Sequence, residues 1–478
     1  MQRIRWWFVL LALIPALGGR TQNLPDLGDS AQAELTPQAE RRIGEQIMRE
    51  IRREPDYVDD PEVSDYVGQV GHRLAAATPD TRQAFEFFVI RDRTVNAFAL
   101  PGGFIGVHTG LLLTAQAEPE FASVLAHEIA HVTQRHLARQ VEAQAKASNL
   151  SLLALALGIL AATSNSQAAQ AAIVASKAAP AAIFLNYSRD FEREADRIGF
   201  QILDASGYDT SGMPTFFERL QKATRLYDNN APVYLRTHPL TTERIADMQN
   251  RAASAAYRQR PDSQEFQLVR AKLRAADGTP DEAVAFFRTA LAERRFVDET
   301  AVRYGYAAAL ARAKNFKAAE TEIAAVRKTA RHPMIETLAA RIRLGAGDPA
   351  GAEKILVAAG EAYPEVVGIK YERAEVLQVL GRNKEAAVLL AALAKQRPND
   401  PKVYQMLAKS YAALGSRTQQ HRALAEAYYL QGSVPAAIEQ LQFAQAASDS
   451  DFYTMSAVDA RLREFKRIQT EALKDRKR

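Results

Sequence analysis

A helix that sets two histidines on one face has few uses in a folded chain, and residues 121–136, FASVLAHEIAHVTQRH, read as such a helix. Alanine, leucine, glutamate and glutamine dominate, and neither glycine nor proline falls between Glu120 and Gln144. Glu118, Pro119 and Glu120 make a good start, because proline is tolerated at an early helical position. Residues four apart lie one above the other on a helix. His127 and His131 can therefore hold one metal ion from the same side. Glu128, beside the first histidine, can reach a water on that ion and take its proton.

Two protein ligands do not complete a catalytic zinc site, which usually takes three and a water. The stretch FEREAD, residues 191–196, predicts a second helix, opened by Asn186, Tyr187 and Ser188 and running to Gly207. Glu192 and Asp196 are again four apart. One carboxylate can serve as third ligand and the other can accept a ligand histidine's free N–H. HEIAH followed by EREAD resembles the gluzincin metallopeptidases, which include the CAAX prenyl-protein endopeptidases, the mitochondrial Oma-type proteases and the bacterial BepA-type periplasmic proteases. The resemblance implies Glu192 rather than Glu194 as third ligand, Asp196 as the group behind a ligand imidazole, and one Zn²⁺ per chain. Zinc is the default ion for two histidines and a glutamate on this motif, though other divalent ions can take such a set.

The net charge of +5 is small against 61 basic and 56 acidic residues, and no basic cluster is interleaved with aromatics, so nothing predicts nucleic-acid binding. The first five residues are a positive lead, followed by a dozen apolar ones from Trp6 to Leu17, too short to span a bilayer. Residues 1–18 read as a cleaved secretory signal and 19–34 as a flexible lead-in. With no cysteine in the chain, a lipoprotein anchor, disulfides and thiolate ligands are excluded. The expected location is the periplasm.

Residues 35–255 read as one α+β unit, mainly helical with a small sheet. A helix starts at Thr36 and Pro37 and another spans 61–77; three short strands then cover residues 85–90, 95–100 and 104–108, with Pro101, Gly102 and Gly103 as a turn. The phrase NAFALPGGFIGVHTGLL, residues 96–112, also resembles the family, where it precedes the zinc helix. A sheet edge there lets an extended substrate add as a strand, which assigns Asn96, Ala97 and Phe98 to substrate binding. His108 reads as a polar residue at the strand end. Residues 147–176 carry no charge, and the stretch 147–185 reads as buried or membrane-surface helices over the cleft, its apolar runs being too short to cross a bilayer. Thr237, His238, Pro239 and Leu240 resemble the family's THP motif. On that resemblance His238 either donates to the developing oxyanion or binds the zinc as a fourth ligand in a closed state.

After a polar linker at 256–264, residues 265–478 repeat. Small residues recur at Ala313, Gly347, Gly381 and Gly415, each 34 apart, with Gly278 earlier, and alanines follow five later at Ala283, Ala318, Ala352 and Ala386. Small residues would let paired helices approach closely. The period and closing proline resemble tetratricopeptide repeats. About five to six of them would form an all-α solenoid with a concave face, its end capped where Gly432 breaks the register. The architecture as a whole resembles the BepA-type periplasmic proteases, and that resemblance implies a zinc endopeptidase acting on unfolded or misassembled outer-membrane polypeptides. The repeats would dock the outer-membrane assembly machinery, and the membrane contact would be peripheral. The alternative is an assembly chaperone or adaptor whose proteolysis is latched or secondary.

Overall fold

The structure, a computed structural model, describes residues 36–78, 83–145, 188–226, 233–256, 258, 261–447 and 449–475. The signal and lead-in read at 1–34, and the uncharged helices read at 147–185, lie outside the described residues. Thr36 accepts the Ala39 amide and Pro37 opens α1 (Pro37–Ile51), as the sequence predicts. Asp60 caps α2 (Pro61–Ala75) through the Glu62 and Val63 amides. Three strands follow, β1 (Glu86–Ile90), β2 (Ala97–Leu100) and β3 (Phe104–His108). Their order is β1-β3-β2, with β3 parallel to β1 and antiparallel to β2, so β2 lies at an edge of the sheet.

Alternation along the strands gives the sheet two buried faces. Phe88, Phe98, Leu100 and Phe104 pack on Ile47, Met48 and Ile51 of α1. Phe87, Val89, Ala97, Ile105 and Val107 face the main core, with α3 (Thr109–Thr114) and α4 (Glu118–Thr133). Every residue of α4 from Glu118 to His131 is buried. A polar side chain in such a helix must find partners, because an unpaired one costs several kcal/mol.

The breaker-free run from 120 to 144 predicts one helix, and the chain folds it as two. α4 stops at Thr133, Arg135 adopts left-handed backbone (φ 53°), and α5 (His136–Ala145) sets off in a new direction. Arg135 sits just past the C-cap, where that conformation closes the helix, and its guanidinium reaches Glu40 of α1 at 2.8 Å. Beyond residue 187 come α6 (Arg189–Ala205), capped by Ser188, then α7 (Gly212–Leu226), the single-turn α8 (Val233–Thr237) and α9 (Thr242–Ser254).

From Gln264 the described residues form six helix pairs. They are α10 (Gln264–Ala276) with α11 (Pro280–Ala292), α12 (Glu299–Arg312) with α13 (Phe316–Thr329), α14 (Pro333–Gly345) with α15 (Pro349–Ala362), α16 (Val367–Val379) with α17 (Asn383–Gln396), α18 (Pro401–Ala413) with α19 (Arg417–Leu430), and α20 (Val434–Ala446) with α21 (Phe452–Asp475). The recurring glycines do a different job from the one expected. Gly347, Gly381 and Gly415 stand in the turns at positive φ, and a Cβ on any of them would meet nothing within 4 Å. Glycine is there for backbone conformation, not close approach. In the second pair Lys314 (φ 59°), not Ala313, takes that position. The alanines five residues after these glycines, Ala352 and Ala386, are the buried small contacts. The long α21 seats Val458, Leu462 and Phe465 against α20 and closes the array, as the broken register suggests.

The repeats grip the start of α2. Lys272 on α10 reaches Asp60 at 2.6 Å and Glu62 at 2.5 Å; Thr337 on α14 donates to Glu62; Arg397 pairs with Asp65 and Lys402 approaches Asp59. Removing one partner from a buried charge cluster leaves the others uncompensated. Lys272→Met should therefore lower stability by about 3 kcal/mol at pH 7. The loss should shrink at low pH as acid protonates Asp60, which urea unfolding at several pH values would show. Nearby, burial and the charges of Asp65, Glu118 and Glu62 push the Glu265 carboxyl up to about 7. A carboxyl raised in the folded state favours folding below its unfolded pKa and loses that favour as pH rises through 7. Glu265→Gln should match the parent at pH 4.5 and gain on the order of 1 kcal/mol at pH 8, allowing for solvent screening.

Candidate metal centre

The site begins with the contact between α4 and α6. Gly199 of α6 lies against the backbone of Ala126 and His127, where a Cβ would come within 3.1 Å. That approach sets the N-terminal half of α6 beside the histidine face of α4. Glu192 and Asp196, one turn apart, both look at α4 and are almost fully buried. Glu192 Oε2 lies 3.6 Å from His127 Nε2, and its Oε1 lies 3.4 Å from His131 Nε2. The two Nε2 atoms are 2.9 Å apart. Asp196 Oδ1 stands 3.0 Å from the opposite nitrogen of His127, Nδ1.

A third segment completes the group. α8 ends at Thr237, the His238 amide bonds the Tyr234 carbonyl at 2.8 Å, and the Tyr234 ring stacks on the His238 ring at 4.6 Å. His238 Nδ1 falls 3.0 Å from Glu192 Oε1 and 3.3 Å from His127 Nε2, and its Nε2 lies 3.5 Å from Glu128 Oε1. His127, His131, Glu192 and His238 thus offer four buried ligand atoms within 4.8 Å of one another. Three imidazole nitrogens and a carboxylate oxygen are donors that suit zinc and other borderline cations. Beside them, the buried Glu128 carboxylate makes no hydrogen bond of good geometry, with the Ala99 amide and the His238 ring as its polar neighbours. Burial pushes that carboxyl up, against the opposing charges of His238 and His127. The donor set and the weakly bonded carboxylate fit a metal ion with a polar ligand next to Glu128.

Arg244 on α9 was not singled out by the sequence, and the arrangement depends on it. Its Nε and Nη2 meet the two oxygens of Asp196 at 2.6 and 2.8 Å, and its Nη1 reaches Glu192 Oε2 at 2.8 Å and the Pro239 carbonyl at 2.7 Å. Burial would raise the Asp196 carboxyl, but the Arg244 guanidinium outweighs it and holds the pKa below the usual value. For His127, burial favours the neutral ring, yet the bonds to Asp196 and Glu192 win and raise it to about 9. The one sequence signal for Arg244 was its place on the buried stripe of α9, with Ile245 and Met248.

The predicted substrate strand is split between functions. Ala97 faces α4, Phe98 packs edge-on to Phe88 at 5.8 Å on the far side of the sheet, and Asn96 precedes β2 fully buried, both amide atoms unpaired. His108, expected as a polar strand-end residue, is buried instead. It ends the central strand, where Thr94 covers it at 2.9 Å, and it stands outside the metal-capable group. Arg244→Met should strip the guanidinium from two buried carboxylates, leaving Asp196 with its His127 contact alone, and weaken metal binding by about 10–100-fold, which a chelator competition titration would measure.

Comparison with known proteins agrees with this geometry. Residues 61–252 match peptidase family M48, and residues 274–342 and 343–410 each match a tetratricopeptide repeat family. The beta-barrel assembly-enhancing protease of Escherichia coli (strain K12) is 31% identical over 465 residues, 95% of this chain and 93% of that protein. A Vibrio cholerae relative is 40% identical over 313 residues, and the match spans 64% of each chain, a little under two thirds of its length. The mitochondrial metalloendopeptidase OMA1 of Schizosaccharomyces pombe is 33% identical over 180 residues, 38% of this chain and 50% of its own. Two histidines from α4 and a glutamate from α6, in a chain that aligns almost end to end with such a protease, leave one assignment: it belongs to the M48 metallopeptidases, in the branch that carries tetratricopeptide repeats.

Proposed function

We propose that the protein is a zinc endopeptidase of the periplasm that cleaves unfolded or misassembled outer-membrane polypeptides, with the repeats docking substrates or the assembly machinery. The observation that carries the chemistry is the buried four-ligand group with the weakly bonded Glu128 beside it. The name of the Escherichia coli relative, a beta-barrel assembly-enhancing protease, supports the substrate class and compartment. Among the described residues no helix is long and apolar enough to cross a membrane.

His127, His131 and Glu192 would hold the ion, and Asp196, fixed by Arg244, keeps the His127 ring turned with Nε2 inward. A bound zinc supplies Lewis acidity, polarising the scissile carbonyl and lowering the pKa of water. Glu128 takes the proton of the attacking water and hands it to the leaving amine. The substrate lies along β2, the edge strand nearest Glu128, and pairs through its backbone, since the Phe98 side chain is committed to the core. His238, with Nδ1 inside the ligand group, would be a fourth donor in the resting protein and would turn away when substrate enters.

That last point favours a second reading, in which an adaptor binds partners through the repeats and proteolysis is latched. Metal content and casein cleavage of three proteins separate the two. The parent should hold about one zinc and cleave slowly; Glu128→Gln should hold zinc and cleave nothing; His238→Ala should cleave faster than the parent. Slower cleavage by His238→Ala would make the histidine an oxyanion donor instead. Zinc bound by all three with no cleavage of any unfolded substrate would leave the adaptor.

A further inference from the structure

His131 has a nitrogen that the metal group does not use. Its Nε2 faces His127 and Glu192, so Nδ1 points away, and there it meets His136 Nδ1 at 2.9 Å. His136 is fully buried, and its other nitrogen, Nε2, lies 3.1 Å from Glu194 Oε2. Glu194 in turn takes Arg139 Nη1 at 2.9 Å. The ring of Phe191 holds the assembly from the side, stacked on His136 at 4.6 Å and 10°, with the Arg139 guanidinium 4.5 Å above it.

The protons in this chain have one consistent order. A nitrogen that gives its lone pair to a cation leaves the ring proton on the other nitrogen. His131 therefore carries its proton on Nδ1 and donates it. His136 accepts at Nδ1, carries its own proton on Nε2 and donates that to the Glu194 carboxylate. We propose that His136 is a positioning residue of the metal centre, fixing the tautomer and ring angle of His131 as Asp196 fixes His127, with Glu194 and Arg139 as its support. The inference rests on His131 being a metal ligand.

The break between α4 and α5 serves this arrangement. On an unbroken helix, His136 would point about 140° away from His131. The left-handed Arg135 turns the chain so that the two rings meet. Glu194 also finds its role here, since it faces the opposite side of α6 from the ligand Glu192 and anchors the outer end of the hydrogen-bonded chain.

The test uses cobalt(II) as probe metal in the full-length protein, reading affinity by chelator competition and ligand geometry by visible absorption. His136→Phe keeps a ring to stack on Phe191 and removes both nitrogens. It should bind cobalt about 10–100-fold more weakly with an altered spectrum, while metal-free thermal unfolding stays near the parent's. His136→Gln restores an acceptor for His131 Nδ1 and should recover much of the affinity. Glu194→Ala, remote from the ion, should weaken binding in the same direction and serves if His136→Phe does not fold. Parent affinity in His136→Phe, or equal losses in the phenylalanine and glutamine variants, would overturn the inference. His131→Ala is the control for the reading beneath it: if that variant keeps parent affinity, the ligand assignment itself fails.

Discussion

Three carboxylates, Glu128, Glu192 and Asp196, are buried within one small volume, with a single permanent cation, Arg244, among them. Charges removed from water must be balanced locally, because each unpaired one costs several kcal/mol. Arg244 cancels one of the three, and the remaining two negative charges equal what a divalent cation brings. With a cation bound, the histidines would coordinate as neutral rings and add no charge of their own. Much of the surrounding architecture serves to hold these groups where water cannot reach them, and the balance explains why the metal-binding group and the guanidinium belong to one design.

The fold supplies the enclosure by simple means. The sheet covers one side of α4 and α6 covers another, so close at Gly199 that a Cβ there would come within 3.1 Å of the Ala126 and His127 backbone. A side chain at that point would force α4 and α6 apart by a few tenths of an ångström at the place that sets Glu192 and Asp196 beside the histidines. Position 199 thus bears on the site as directly as a ligand does, though it touches no ligand side chain.

What the sequence made legible was whatever is local. His127 with His131, and Glu192 with Asp196, share a face because of helical periodicity, and the spacing of four residues is enough to see it. The N-caps at Thr36 and Ser188 and the three strands were equally local. Arg244, Gly199 and His136 act across the fold, and no spacing along the chain announces them. The break at Arg135 was hidden for a related reason: arginine is a good helix former, and the turn there is set by the partners of Arg135 and His136, not by a breaker. The repeat glycines were visible as a period, but their purpose was misread, since a period does not say whether a small residue serves packing or a positive φ.

The repeats are bound to the catalytic half at several points along their length. Glu118, the first residue of α4, accepts from Tyr66 of α2 and from Ser263 at the head of α10, and its amide bonds Asp262. Further along, Lys272, Thr337 and Arg397 hold α2, and the Gln431 carbonyl near the far end takes Arg53 beside α1. Swinging the array away would break these links together and strand Asp60, Glu62 and Asp65 without partners, a cost far above that of turning one side chain. His238, by contrast, follows the single-turn α8 and enters the ligand group through one ring, so turning it would break far fewer contacts than swinging the array. The contacts among the described residues thus make the array a fixed frame around α2 and the head of α4.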